Sequence, residues 1–196
     1  MKHFYFLFSI ALLFMACSKD KFDPSDPKNG QEVELFLDHY TTGTSIGIFL
    51  DADKKQPFYT YVDNFSEREM GYTYIIKAKV VRPKEAPQDG HSYWFDYEKT
   101  IRRDKYQGLD TFALPLFGAG GPFSYFCLRK EADQYSYNGA PLTAFDAQVK
   151  ADLETALEQG PPLLNTASTA RTTMTLRVQH DPNNYSKGYL VYKVTF

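Results

Sequence analysis

The chain has 196 residues, with 22 Lys and Arg against 24 Asp and Glu, and a formal net charge of −2 that argues against a nucleic-acid-binding surface and against an electrostatic membrane patch. Its length suits one domain, or one domain with an added subdomain, and 16 Phe with 15 Tyr against a single Trp supply an aromatic-rich interior. With only two cysteines, Cys17 and Cys127, it can close one disulfide at most.

Met1-Lys2-His3 followed by an apolar run from Phe4 to Ala16, broken only by Ser9, has the basic and apolar regions of a secretory signal. The run is shorter than the roughly 20 residues a membrane-spanning helix needs, so residues 1–16 are expected to be removed as a lipoprotein signal peptide. Leu13-Phe14-Met15-Ala16-Cys17 resembles a relaxed bacterial lipobox, in which the Cys17 thiol is alkylated by diacylglycerol and becomes the new N-terminus. The alternatives are a plain signal peptide cut nearby, or a disulfide from Cys17 to Cys127. Residues 17–31 then form the lipid-anchor cysteine and a flexible tether, because SKDKFDPSDPKNGQ is rich in charge and carries two prolines and a single aromatic.

From residue 32 onward the aromatic and apolar runs alternate with period two, the signature of half-buried strands. In GYTYIIKAKVVR (71–82), Tyr72, Tyr74, Ile76, Ala78 and Val80 share one face and Thr73, Lys77 and Lys79 the other. Comparable runs span 32–40, 45–50, 57–62, 91–102, 111–117 and 123–130, punctuated by the turns DADKKQ, RPKEAPQDG and GAGGP. These predict an antiparallel β domain over 32–130. Over 143–159, Phe145, Val149, Leu153, Ala156 and Leu157 recur at helical spacing, with Thr143 and Asp146 as a capping box and Gly160-Pro161-Pro162 as the stop. Strands at 171–180 and 187–196, joined by DPNNYSKG, complete a helix-plus-hairpin unit over 131–196 that packs on the same domain. The class is α+β, predominantly antiparallel β, as a small bent sheet or an OB-like barrel with one helix in the C-terminal half followed by a β-hairpin.

The stretch YVDNFSEREMGYTYIIKAKVV, where an aromatic pair brackets an acidic turn before Gly-Tyr-x-Tyr, and APQDGHSYWFDYEKTI, a Pro-x-Asp-Gly turn into the next strand, resemble the domain-of-unknown-function family 4377. The resemblance covers about residues 33–102 and implies a bacterial envelope domain of the kind found beside META domains. Family members carry a cysteine pair around their first two strands, and this chain has none there. The resemblance implies fold and location and transfers no catalytic residue.

Catalytic and metal signatures are missing from the sequence: no HExxH, no CxxC pair, no GxSxG, and GAGGPF lacks the lysine and helix of a phosphate loop. His39, His91 and His180 are far apart in sequence, and His39 and His180 extend core-facing rows at strand ends; Asp51 and Asp53 suit a hairpin tip better than a calcium loop. Cys127, among aromatics, reads as a small core hydrophobe. The one lead toward binding is the surplus of rings. Phe36, Tyr93, Phe95, Tyr97, Tyr135 and Tyr137 fall in runs with aromatics on both faces, and those left uncovered by the helix would be ligand-binding candidates.

The expectation is a lipid-anchored protein of the outer membrane of a Gram-negative bacterium, facing either side, that needs no cofactor or metal and serves as a non-catalytic binding or scaffold module. Its partners are then the membrane through the lipid and an envelope protein or glycan, with no nucleic acid. The competing readings are a surface glycan- or peptide-binding lipoprotein using exposed aromatics, and a hydrolase with an unrecognised site in which a carboxylate meets His91 or His180.

Overall fold

The structure, a computed structural model, describes residues 22–43, 45–85, 88, 90–120, 123–165 and 174–196. The signal segment, Cys17 and the start of the strand expected from residue 171 lie outside the described residues.

Period-two patterning places Val33, Leu35 and Leu37 on one face of β1 (Glu32–Thr42), which pairs antiparallel with β2 (Ser45–Phe49). β3 (Val62–Asp63) is only two residues long, so the strand expected over 57–62 is mostly irregular. β4 (Tyr72–Val81) sets Tyr74, Ile76, Ala78 and Val80 against the β1 row, with Leu35 opposite Ile76, and β5 (Trp94–Lys105) contributes Phe95. The sheet order is β2-β1-β4-β5-β3, and β3 pairs parallel to β5. The sheet is a curled half-barrel and the expected barrel does not close, because β2 and β3 remain its two edges. Residues 57–62 bridge the opening: the Phe58 N–H donates to the Ile48 carbonyl at 2.8 Å, and the Thr60 hydroxyl to the Tyr93 carbonyl at 2.6 Å.

The expected free tether is shorter than residues 17–31. Phe22 is buried in this core, with its ring 5.6 Å from Phe58 and 5.7 Å from Phe95, and the Gly30 N–H donates to the Val80 carbonyl at 2.8 Å. One aromatic in a charged stretch is enough to dock it, since burying a Phe side chain contributes about 1.5–3 kcal/mol.

The second sheet gathers β6 (Phe112–Pro115), β9 (Leu128–Glu131), β10 (Gln134–Tyr137), β11 (Ala140–Ala144), β12 (Thr175–His180) and β13 (Tyr189–Thr195) in the order β6-β12-β13-β11-β10-β9. The hairpin of β7 (Phe117–Gly120) and β8 (Phe123–Phe126) stands apart from it. The division between the sheets therefore falls at 106–111, not at 130. β11 runs parallel to β13 because the helix α1 (Ala147–Leu163) forms the crossover between β11 and the C-terminal hairpin. Val149, Leu153 and Ala156 face the sheet as expected. Its start and stop differ from the expectation. Asp146 alone is the N-cap, accepting from the Val149 N–H at 2.8 Å, while the Thr143 hydroxyl donates to Asp181 and Phe145 lies outside, stacked on Tyr192. Pro161 and Pro162 sit in the last turn, and Gly160 tucks beneath the Phe126 ring.

The sheets meet at a seam. His39 at 3% exposure and His180 at 6% are bonded, Nδ1 to Nε2, at 2.8 Å. Tyr106 stacks on His39 with centroids 3.6 Å apart and 11° between planes, and Phe112 packs 4.4 Å from Tyr40. Gly71, with φ +84°, donates to the His39 carbonyl and lies against the Tyr185 ring, where a side chain would collide. The Tyr137 hydroxyl accepts from the Gly43 N–H at 2.8 Å and donates to the Pro115 carbonyl at 3.0 Å, tying the sheets a second time. Among the described residues His180 Nδ1 has no partner, so the cheapest proton arrangement leaves it a bare lone pair: His180 Nε2–H donates to His39 Nδ1, and His39 Nε2–H points at Asp38 Oδ1, 3.5 Å away.

Burial pulls both imidazole pKa values down to about 3, helped at His39 by the Lys54 and Arg68 charges and at His180 by His39 and Arg68. Their folded pKa values lie below the unfolded one near 6.5, so the unfolded chain takes up protons first; the pair's stabilisation is complete above about pH 6.5 and is lost as pH falls. Between roughly pH 7 and pH 5 the expected loss is about 2 kcal/mol per histidine, because only the unfolded state titrates there. Urea unfolding at the two pH values measures it, and an unchanged midpoint would mean that the imidazoles titrate normally in the folded protein.

Candidate functional site

A groove of about 780 Å³ runs along the edge strand β2. One wall is β2 itself with Asp38 and Tyr40 of β1; the other is the bridging segment from Pro57 to Val62, with His91 at its end. The volume falls in the range of ordinary ligand sites. A neighbouring cavity of about 610 Å³ shares Phe49 and Phe58 with it and extends toward Phe22.

The floor owes its shape to Gly47. A Cβ there would stand 2.9 Å from the Phe49 ring and 3.2 Å from Asp38 Cβ, so only glycine lets Phe49 fold back over the strand toward Phe36. Asp38 is the charged group of the lining. Its Oδ1 accepts from Lys54 Nζ and from the His39 backbone N–H, each at 2.8 Å, which compensates a carboxylate only 5% exposed. Lys54 reaches it from the turn after β2, where Asp51 Oδ1 accepts from the Asp53 N–H; this is a turn and not the expected hairpin tip, because β2 pairs with β1 and among the described residues no strand paired to it follows. Arg68 Nη2 donates to the carbonyls of Asp38 and Tyr40 at 3.2 and 3.0 Å and fixes this stretch of β1 from behind. Burial lowers the Arg68 pKa and raises that of the Tyr40 hydroxyl, with Asp38 and Tyr106 adding to the latter. The rim is open: Tyr59 is 89% exposed and Tyr61 44%, and Tyr61 lies parallel to Trp94, 8° between planes and 5.9 Å between centroids.

The aromatics singled out by strand alternation do not form this site. Phe95, Tyr135 and Tyr137 are buried, as is Phe36; Tyr93 packs on Phe22 and Phe95, and Tyr97 stacks on Phe65. The helix covers only the second-sheet rings, where Glu154 accepts from the Tyr135 hydroxyl and pairs with Lys130. On the first sheet Phe22, Phe58 and Phe65 do the covering. Of the exposed rings among the described residues, Phe145 and Phe196 lie away from the groove, while Tyr59 and Tyr61 belong to the bridging segment, and an aromatic-rich run adjoining Pro57 that fails to make a full strand is the signal for them. Cys127 is buried, with its thiol pKa pushed up by desolvation.

Asp38, His39 and His180 form the carboxylate–imidazole chain that a hydrolase would require, but its far nitrogen is sealed in the seam. An imidazole with a pKa near 3 is a poor base at neutral pH. A third cavity, about 280 Å³, reaches His180 beside Tyr106 and Tyr185 without Ser or Cys in its lining. Among the described residues no group of three or more His, Cys, Asp and Glu is placed to hold a metal ion.

Gly47→Ala should push Phe49 off the strand at a cost of about 1–3 kcal/mol, whereas Tyr59→Ala should change stability by less than about 0.5 kcal/mol. Denaturant unfolding of both variants checks the pair, and equal losses would contradict the description of floor and rim. Comparison with family models, with curated proteins and with solved structures gave no match.

Proposed function

We propose that this chain is a lipid-anchored, non-catalytic binding module of the bacterial cell envelope, held through Cys17 at the outer membrane of a Gram-negative bacterium, with the β2 groove as its ligand site. The observation that carries the binding reading is the groove itself: a preformed concave surface of about 780 Å³ with two exposed tyrosines on its rim, in a fold whose other large aromatics are mostly packed away. The anchor rests on Ala16-Cys17 at the end of a short apolar run. Among the described residues no helix is long and apolar enough to cross a membrane, which is compatible with attachment by acyl chains at about 0.8 kcal/mol per buried CH₂. The buried, proton-poor Asp38–His39–His180 chain weighs against the hydrolase reading. A glycan ligand has one specific observation in its favour, the parallel Tyr61–Trp94 pair beside the groove.

Radiolabelled palmitate should enter the protein in its native cells and be lost in Cys17→Ala. Label retained by the alanine variant would remove the anchor while leaving the groove untouched.

A further inference from the structure

The geometry points to an extended peptide as the groove's occupant: a short segment of a partner protein that adds to the free part of the β2 edge, Ser45 to Gly47, as a sixth strand. This rests on the groove being the ligand site and specifies the ligand's class.

β2 is an edge strand, and an edge presents backbone N–H and C=O groups that another chain can pair with. The Ile48 carbonyl already points outward and accepts the Phe58 N–H at 2.8 Å, a single rung of such a ladder. Antiparallel pairing alternates inward and outward groups, so the backbone of Ile46, two residues earlier, is turned to the same side, and among the described residues nothing outside the sheet pairs with it. The groove follows this edge, and a strand needs a lane only about 4.8 Å from its neighbour. With Ile48 already held by Phe58, the edge left for the added segment is Ser45 to Gly47, about 10 Å long.

The far wall selects a free segment over a second folded copy. Pro57 to Val62 faces β2 across the lane, and a copy approaching with its own β2 would carry the same wall in front of it. Gly47 presents no side chain on one side of the strand, and Tyr59 and Tyr61 offer ring faces on the other wall, so alternate apolar residues of the peptide have surfaces to cover. The one charged side chain of the lining, Asp38, is already paired with Lys54, so the groove favours a ligand held by backbone pairing and apolar side chains over one held by charge.

The test pans a displayed library of random linear peptides, about ten residues long to exceed the edge, on the full chain in detergent, and measures selected peptides by fluorescence anisotropy. Backbone N-methylation at every second residue should weaken binding by about tenfold or more, with the intervening positions tolerant, because only alternate amides face β2. Ile46→Pro, which deletes an outward N–H, should cost a similar factor relative to Ile46→Ala, which loses the same side-chain packing on the first core but keeps the N–H. If that variant fails to fold, the methylation pattern still decides. Uniform tolerance of methylation, with binding still lost in Tyr59→Ala, overturns the added strand and leaves the groove as the ligand site. Selection of no peptide, with chitotetraose quenching Trp94 fluorescence, overturns it in favour of a glycan. Peptide binding indifferent to both Ile46→Pro and Tyr59→Ala overturns the added strand and the groove reading together.

Discussion

Two buried imidazoles 2.8 Å apart cannot both be protonated, burial disfavours a proton on either, and the joint between the two sheets is built on that neutral pair. His39 comes from the second half of β1 and His180 from the last residue of β12, 141 positions later. Around them Tyr106, Phe112, Tyr185 and Tyr189 pack as a cage of rings that leaves each imidazole less than about a tenth exposed. Desolvation strengthens the hydrogen bond and at the same time makes a proton there expensive. The cage therefore locks the sheets together and keeps Asp38 and Tyr40, the next residues along β1, in fixed positions.

Those positions are what the groove is made from. On β1, odd residues through His39 face the core and the seam, Phe36 and Asp38 face the other way, toward Phe49 and Lys54, and the Tyr40 ring turns to Phe112 at the seam. The first sheet curls far enough for residues 57–62 to reach both edges but forms only two residues of strand there. An incompletely closed half-barrel is left with a lane beside β2. The rings on that lane's rim gain little stability from being there, since Tyr59 is almost entirely in water.

Much of this fold was legible in the sequence wherever one physical rule acted alone. Period two marks β1, β4 and β13, and helical spacing marks α1, because in each the buried face is continuous, while β5 is marked only by its aromatic start around Phe95. The short strands β10 and β11 escape that test at four and five residues, although Asn138-Gly139, with φ of +47° and +87°, is the turn signal that joins them. The two parallel pairings and the seam escape it for a different reason: periodicity says which face of a strand is buried and nothing about its neighbour. Ring counts likewise cannot separate Phe95, wholly enclosed, from Tyr59, wholly open. The site therefore lies at the bridging segment, where strand pairing fails, and the alternation that exposes the rest of the sheet to prediction is silent there.

Phe22 has a consequence for how the body would sit on a bilayer. A side chain wedged into the core five positions after Cys17 leaves only four residues between them, a span of about 17 Å at full stretch. A lipid on Cys17 would keep the folded part within that distance of the headgroups, like a cleat on a short rope, with the end of the body that holds Phe22 nearest the bilayer.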